Sequence, residues 1–259
     1  VLGSCVFNLA LLAILDMMRR SRPFYAEISD THGLSAAFGI VLAGVVGLGI
    51  LTAPLHAPFA IGHVGLVTPL LIIGYAYVMW AVFLREREAS AGAELIDRYP
   101  GISLRMAVTR YAIAALFVVG AGLSLPFIGK ELSVAMGWST SFVGTLLIAG
   151  VTSTPELVVT VAAMRIGAID MAVGNLLGSN LFNMLVLAID DLAFLDGPLL
   201  ARISPAHASS ALSAIVMSAV LIAALQSRPR RKIGHLPSLP SLTLMAIYAF
   251  NAWILFAGG

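Results

Sequence analysis

Long apolar runs broken by short polar punctuation dominate the chain. Runs near the roughly 20 residues that cross a bilayer fall at about 33 to 55, 62 to 84, 107 to 129, 140 to 164, 169 to 194, 206 to 226 and 240 to 258. A shorter run, 2 to 18, opens the sequence. It has neither the basic start nor the small-residue cleavage site of a signal peptide, so it reads as the remainder of a span that begins upstream. The pattern predicts an all-α polytopic membrane protein.

Composition agrees, with 59% hydrophobic residues, 11% charged residues and a mean hydropathy of +0.98, so lipid is the solvent for most of the chain. The single cysteine, Cys5, excludes an internal disulfide framework. Charge adds orientation. Arg19, Arg20 and Arg22 follow the first span, Arg85, Arg87, Arg98 and Arg105 the third, Arg165 the fifth, and Arg228, Arg230, Arg231 and Lys232 the seventh. The opposite loops hold only Lys130 and Arg202, so the positive-inside bias puts the arginine loops in the cytoplasm and the C-terminus outside. "SRPRRK" reads as a topology determinant and "REREASAGAELIDRYP" as a solvated cytoplasmic linker.

The chain is also a duplication. "LGSCVFNLALLAILD" from Leu2 lies over "LGSNLFNMLVLAIDD" from Leu177 at an offset of 175, and 19 identities fall between Leu2 and Val45 at that offset. In a slightly shifted register, "YAYVMWAVF" at Tyr75 matches "YAFNAWILF" at Tyr248. An odd number of crossings separates the two copies, so they traverse the membrane in opposite directions. Inverted repeats with a midplane site between discontinuous helices are a recurring plan of secondary transporters.

The polar residues inside the spans are concentrated in two stretches. "AGVTSTPELVV" places Pro155 and Glu156 inside an apolar run, and the proline is expected to free carbonyls near Thr152 to Thr154. A carboxylate in mid-span costs several kcal/mol on insertion and makes an ion or proton site the default reading. In "GNLLGSNLFN", Asn175, Ser179 and Asn183 share one helical stripe. Gly174 and Gly178 are expected to let two backbones approach. Carboxylate, hydroxyl, amide and backbone oxygens together suit hard cations such as Na⁺ and Ca²⁺.

"VTSTPELVVTVAA" followed by "IDMAVGNLLGSNLFN" resembles the second α-repeat of the calcium/cation antiporter superfamily, which includes the sodium/calcium exchangers, and "GSCVFN" resembles the end of the first. The resemblance implies a ten-helix fold of two inverted five-helix halves, of which about seven and a half helices lie in this sequence. It implies exchange of Na⁺ or H⁺ against Ca²⁺ by alternating access. Residues 1 to 84 would then be the remainder of the first repeat, 85 to 106 a cytoplasmic linker, and 107 to 259 the second repeat, with its α-repeat at about 140 to 194.

By position, the resemblance makes Glu156 the central carboxylate ligand, with Thr152 and Ser153 supplying oxygens beside it. Asn183, Ser179, Asn8 and Ser4 complete the wall. The sequence departs from the family pattern at Val151, where glycine is usual, at Cys5, where Asn180 marks the repeat's own residue, and at Asn183, where several members carry Asp. The counterpart of Glu156 would lie about 19 residues before Val1.

Other polar residues receive plainer roles. Asp16, Asp170 and Asp191 read as capping or interface groups, His32 and His207 as structural, and Tyr75, Trp80, Tyr248 and Trp253 as packing or interfacial belts. The leading expectation is a Na⁺/Ca²⁺ antiporter of the bacterial inner membrane. A Ca²⁺/H⁺ or other cation/H⁺ antiporter is the close rival, and a noncatalytic membrane subunit a distant one. An intramembrane hydrolase needs a nucleophile facing a base, and no histidine lies mid-span beside Ser153 or Ser179. The chain is therefore read as no enzyme, with no cofactor and no nucleic-acid partner; its partners are small inorganic cations and the bilayer.

Overall fold

Backbone groups in hydrocarbon must find their hydrogen bonds within the segment, and each apolar run folds as helix. The computed structural model of the protein describes residues 1–19, 24–89, 101–228 and 237–257. Its main helices are α1 (Leu2–Met18), α2 (His32–Leu51), α3 (Val67–Ala89), α4 (Leu104–Met136), α5 (Val143–Thr152), α6 (Thr154–Arg165), α7 (Ile169–Ala193), α8 (His207–Ser227) and α9 (Leu239–Ala257). Among the described residues, six helices are individually long and apolar enough to span a membrane. The α5–α6 pair, bent by 44°, makes a seventh. The protein is an all-α polytopic membrane protein.

Boundaries differ from the sequence expectation where caps decide them. Ser103 accepts a hydrogen bond from the Met106 amide at 3.3 Å and starts α4 early. Gly137, at φ 65°, ends it late in a left-handed cap. Lys130, expected in a loop, lies in the last two turns of α4. Residues 90–100 of the linker, together with Arg20, Arg22, Arg230, Arg231 and Lys232, lie outside the described residues.

The duplication is visible in space as contacts that recur with the two halves exchanged. Helix α1 packs on α7, α8 and α9, and α7 packs on α1, α2 and α3. Phe7 meets Tyr248 edge-on at 6.1 Å, while their counterparts Phe182 and Tyr75 meet at 6.4 Å. Across the α1–α7 contact Asn8 reaches Asn180, and Cys5 reaches Asn183. The two copies thus run antiparallel, which is the inverted arrangement predicted from the odd number of crossings. At the centre α2 and α8 close on small residues, where a Cβ added to Gly47 would stand 3.3 Å from that of Ala211.

Asp16 and Asp191 tie each repeat to the other. Asp191 accepts from the Gly65 amide and the Thr68 hydroxyl at the start of α3, and from the Leu199 amide at 2.6 Å. Asp16 accepts from the Ser238 amide and the Ser241 hydroxyl at the start of α9, both at 2.8 Å. The capping role read from the sequence is the one they play. Asp170 accepts from the Ser29 amide at 2.7 Å and faces His32 at 3.2 Å, which anchors the entry to α2.

Among the described residues, a Cβ at Gly178 would meet nothing within 4 Å, and one at Gly174 only the His32 ring at 3.4 Å. The close backbone approach found lies at Gly3, the repeat counterpart of Gly178, where an added Cβ would fall 2.1 Å from the Thr145 carbonyl oxygen. Glycine spacing marks a face but does not say which helix meets it.

Candidate cation site

The site begins at a break in the fifth span. Pro155 sits in the first turn of α6, where its missing N–H costs least, and the chain turns at Ser153 with φ −90° and ψ 7°. Upstream, Val143–Ile148 forms a π-turn, a local irregularity that often accompanies functional sites. The expectation of free carbonyls needs correction at Ser153, whose oxygen accepts from the Leu157 amide at 3.1 Å. Ser153 itself is buried at the break.

Glu156 lies in the first turn of α6, where the helix dipole favours a negative charge. Ser179 on α7 donates to its Oε1 at 2.8 Å. Its Oε2 is buried and has no hydrogen-bond partner among the described residues. One turn before Ser179, Asn175 donates to the Thr160 hydroxyl at 3.1 Å and to the Glu156 carbonyl at 3.4 Å, fastening α6 to α7.

The other candidates approach from α1. The Ser4 and Thr152 hydroxyls stand 3.5 Å apart, while Thr152 also bonds the Ile148 carbonyl at 3.0 Å. Asn8 donates to Asn180 Oδ1 at 3.0 Å, and Asn183 donates to the Cys5 sulfur at 3.6 Å. The seven candidates therefore fall into two direct pairs, Glu156 with Ser179 and Ser4 with Thr152, plus Asn8 and Asn183 on an α1–α7 brace and Ser153 at the turn. Asn8 and Asn183 do not bond one another.

Asn180 was not among the candidates, yet it joins the two repeats. The signal was present: of the motif positions in "LGSCVFN" and "LGSNLFN", the Cys5/Asn180 pair is the one whose chemistry changes from thiol to amide. Among the described residues no three His, Cys, Asp or Glu side chains gather as a metal cluster. The arrangement offers one carboxylate among hydroxyl and amide oxygens, a donor set suited to a hard cation rather than to a soft metal.

The family profile of the sodium/calcium exchanger protein matches residues 106–257, more than half of the chain. The chain belongs to the sodium/calcium exchanger family. Within it, the sodium/calcium exchanger MaX1 of Methanosarcina acetivorans is 45% identical over 60 residues, which is 23% of this chain and 17% of that relative. The chain thus aligns with under a fifth of the relative's length. No solved structure matches. Members of this family are transporters rather than enzymes.

Proposed function

We propose that the protein is a secondary antiporter that exchanges Na⁺ for Ca²⁺ by alternating access. Glu156, Thr152, Ser153, Ser179, Asn183, Ser4 and Asn8 would supply the cation's oxygens. The observation that carries this reading is Glu156 itself. A carboxylate in a span costs roughly 2.5 to 3.5 kcal/mol or more. A neutral Glu156 serving only as interhelical glue would use its second oxygen as a hydrogen-bond donor. Instead Oε1 accepts from Ser179 while Oε2 is buried with no partner among the described residues, which supports reading that oxygen as a cation ligand.

A proton can occupy the same oxygen, so cation/H⁺ exchange is the second reading that this geometry favours. The ten-helix plan, the division at 85 to 106 and an external C-terminus belong to the same proposal. The face carrying the C-terminus of α8 also carries the entry to α2, since Arg228 pairs with Asp30 at 2.5 Å. That grouping supports placing the arginine loops together on the cytoplasmic side.

Uptake of radiolabelled Ca²⁺ by vesicles containing the full-length gene product tests the assignment. Uptake driven by an imposed Na⁺ gradient and not by a pH gradient is the expected result. Uptake driven by the pH gradient alone would replace Na⁺ by H⁺ as the coupling ion, and uptake under neither gradient would remove Ca²⁺ exchange.

A further inference from the structure

The α1–α7 brace is directional, and its direction is set by backbone carbonyls that can only accept. Asn180 Nδ2 donates to the Cys5 carbonyl at 3.2 Å, which leaves Asn180 Oδ1 as the end that faces Asn8. Asn8 must therefore present Nδ2 to Asn180, at 3.0 Å, and turn Oδ1 away. That Oδ1 belongs to a residue with 0% exposure and has no partner among the described residues.

The same logic repeats with the halves exchanged. The Cys5 thiol donates to the Asn180 carbonyl at 3.9 Å, so its sulfur lone pair accepts from Asn183 Nδ2 at 3.6 Å. The amide nitrogen of Asn183 is then committed, and its oxygen is the remaining ligand atom. Each repeat thus orients the other's asparagine oxygen-first, but with an amide oxygen on one side and a weaker sulfur acceptor on the other.

We infer that Asn180 and Cys5 are positioning residues that aim the Asn8 and Asn183 carbonyl oxygens at the transported cation. We further infer that the thiol at position 5 leaves the Asn183 side of the site the looser of the two. The inference rests on reading Asn8 and Asn183 as cation ligands. Room for an amide at position 5 is present, because Cys5 and Asn180 border a cavity of about 20 Å³ together with Ser35 and Ser218, enough for one water.

The test is Na⁺-driven Ca²⁺ uptake by the full chain in vesicles, with half-saturating Ca²⁺ and maximal rate measured separately at matched membrane levels. Asn180→Ala is expected to raise half-saturating Ca²⁺ about 10-fold, as loss of a group that orients a ligand does, with the maximal rate kept. Cys5→Ala should raise it and Cys5→Asn lower it, each about threefold, because an amide oxygen is a better acceptor than sulfur. Opposite shifts at one position, without a change in maximal rate, are not what a packing role produces. Cys5→Ala and Cys5→Asn decide the matter where Asn180→Ala fails to reach the membrane. Wild-type half-saturation in Asn180→Ala and Cys5→Ala, with exchange abolished in Glu156→Gln, would overturn the positioning role alone. Exchange that persists in Glu156→Gln would remove the ligand reading on which it rests.

Discussion

Gly3 and Gly178 hold equivalent places in the two repeats and meet opposite surroundings. Gly3 lies so close to α5 that a Cβ would strike the Thr145 carbonyl, whereas among the described residues Gly178 faces nothing within 4 Å. The Asp16/Asp191 pair behaves the other way, since each residue caps the last helix of the opposite half with the same two kinds of donor, an amide and a hydroxyl three residues on. At the offset of 175 the equivalent of Thr145 falls before Val1, so the glycines are compared only through their described neighbours, whereas the aspartate caps compare complete pairs. The difference teaches that the fold's frame is carried by both halves, while the acidic group of the described residues' site comes from the second.

The largest effect should come from the glycines. Gly3→Ala forces a methyl against backbone that cannot swing aside, and we expect a loss of about 3 kcal/mol or more, read as a lower melting temperature in detergent. In the chain of residues 1–259, Gly178→Ala should cost less, since no described atom lies within 4 Å of its Cβ, and equal losses at both positions would break the contrast. Next come the aspartates: Asp16→Asn and Asp191→Asn should each cost about 1.5 to 3 kcal/mol, since a charged acceptor of buried hydrogen bonds is removed. A loss confined to one of the two would show that the caps are not equivalent.

Asn183→Asp sharpens the comparison between Asn183 and its counterpart Asn8 by adding a carboxylate to one side only. Half-saturating Ca²⁺ should fall on the order of tenfold, as ligand charge strengthens divalent binding, and protons should compete as pH is lowered because a carboxylate near other acidic groups retains them. Unchanged ion competition and pH dependence would remove Asn183 from the site. The smallest effect belongs to Asn251, whose Oδ1 accepts from Ser209, Ser210 and Ser213 on α8, while its counterpart across the repeat is Val78. Asn251→Val should cost about 0.6 kcal/mol by leaving three hydroxyls without that acceptor, measured by thermal unfolding against Val78→Ala as a packing reference.

Much of the frame was legible because periodicity and repetition are properties of the chain itself. The apolar runs gave the helices, the offset of 175 paired α1 with α7, and Pro155 marked the break. What could not be read was which face meets which neighbour. Gly174 and Gly178 had the spacing of a close contact, yet among the described residues a Cβ at Gly174 would meet a histidine ring and one at Gly178 nothing within 4 Å. Pro155 announced freed carbonyls, yet a local turn returned the Ser153 oxygen to the Leu157 amide. On the stripe of Asn175, Ser179 and Asn183, the first two reach α6 and the third turns to Cys5 on α1. A shared helical face fixes direction within one helix, and only packing divides its residues between neighbours.

The central claim is that Glu156 is a charged cation ligand held at a helix break. Glu156→Gln keeps its size and hydrogen-bonding capacity and removes the charge, and neutral oxygens alone do not offset the hydration lost by a divalent ion in low dielectric. Coupled Ca²⁺ exchange by the full-length variant, measured in vesicles at membrane levels matched to the wild type, should fall to background while the protein inserts normally. Exchange at the wild-type rate would contradict the assignment of Glu156 to the site.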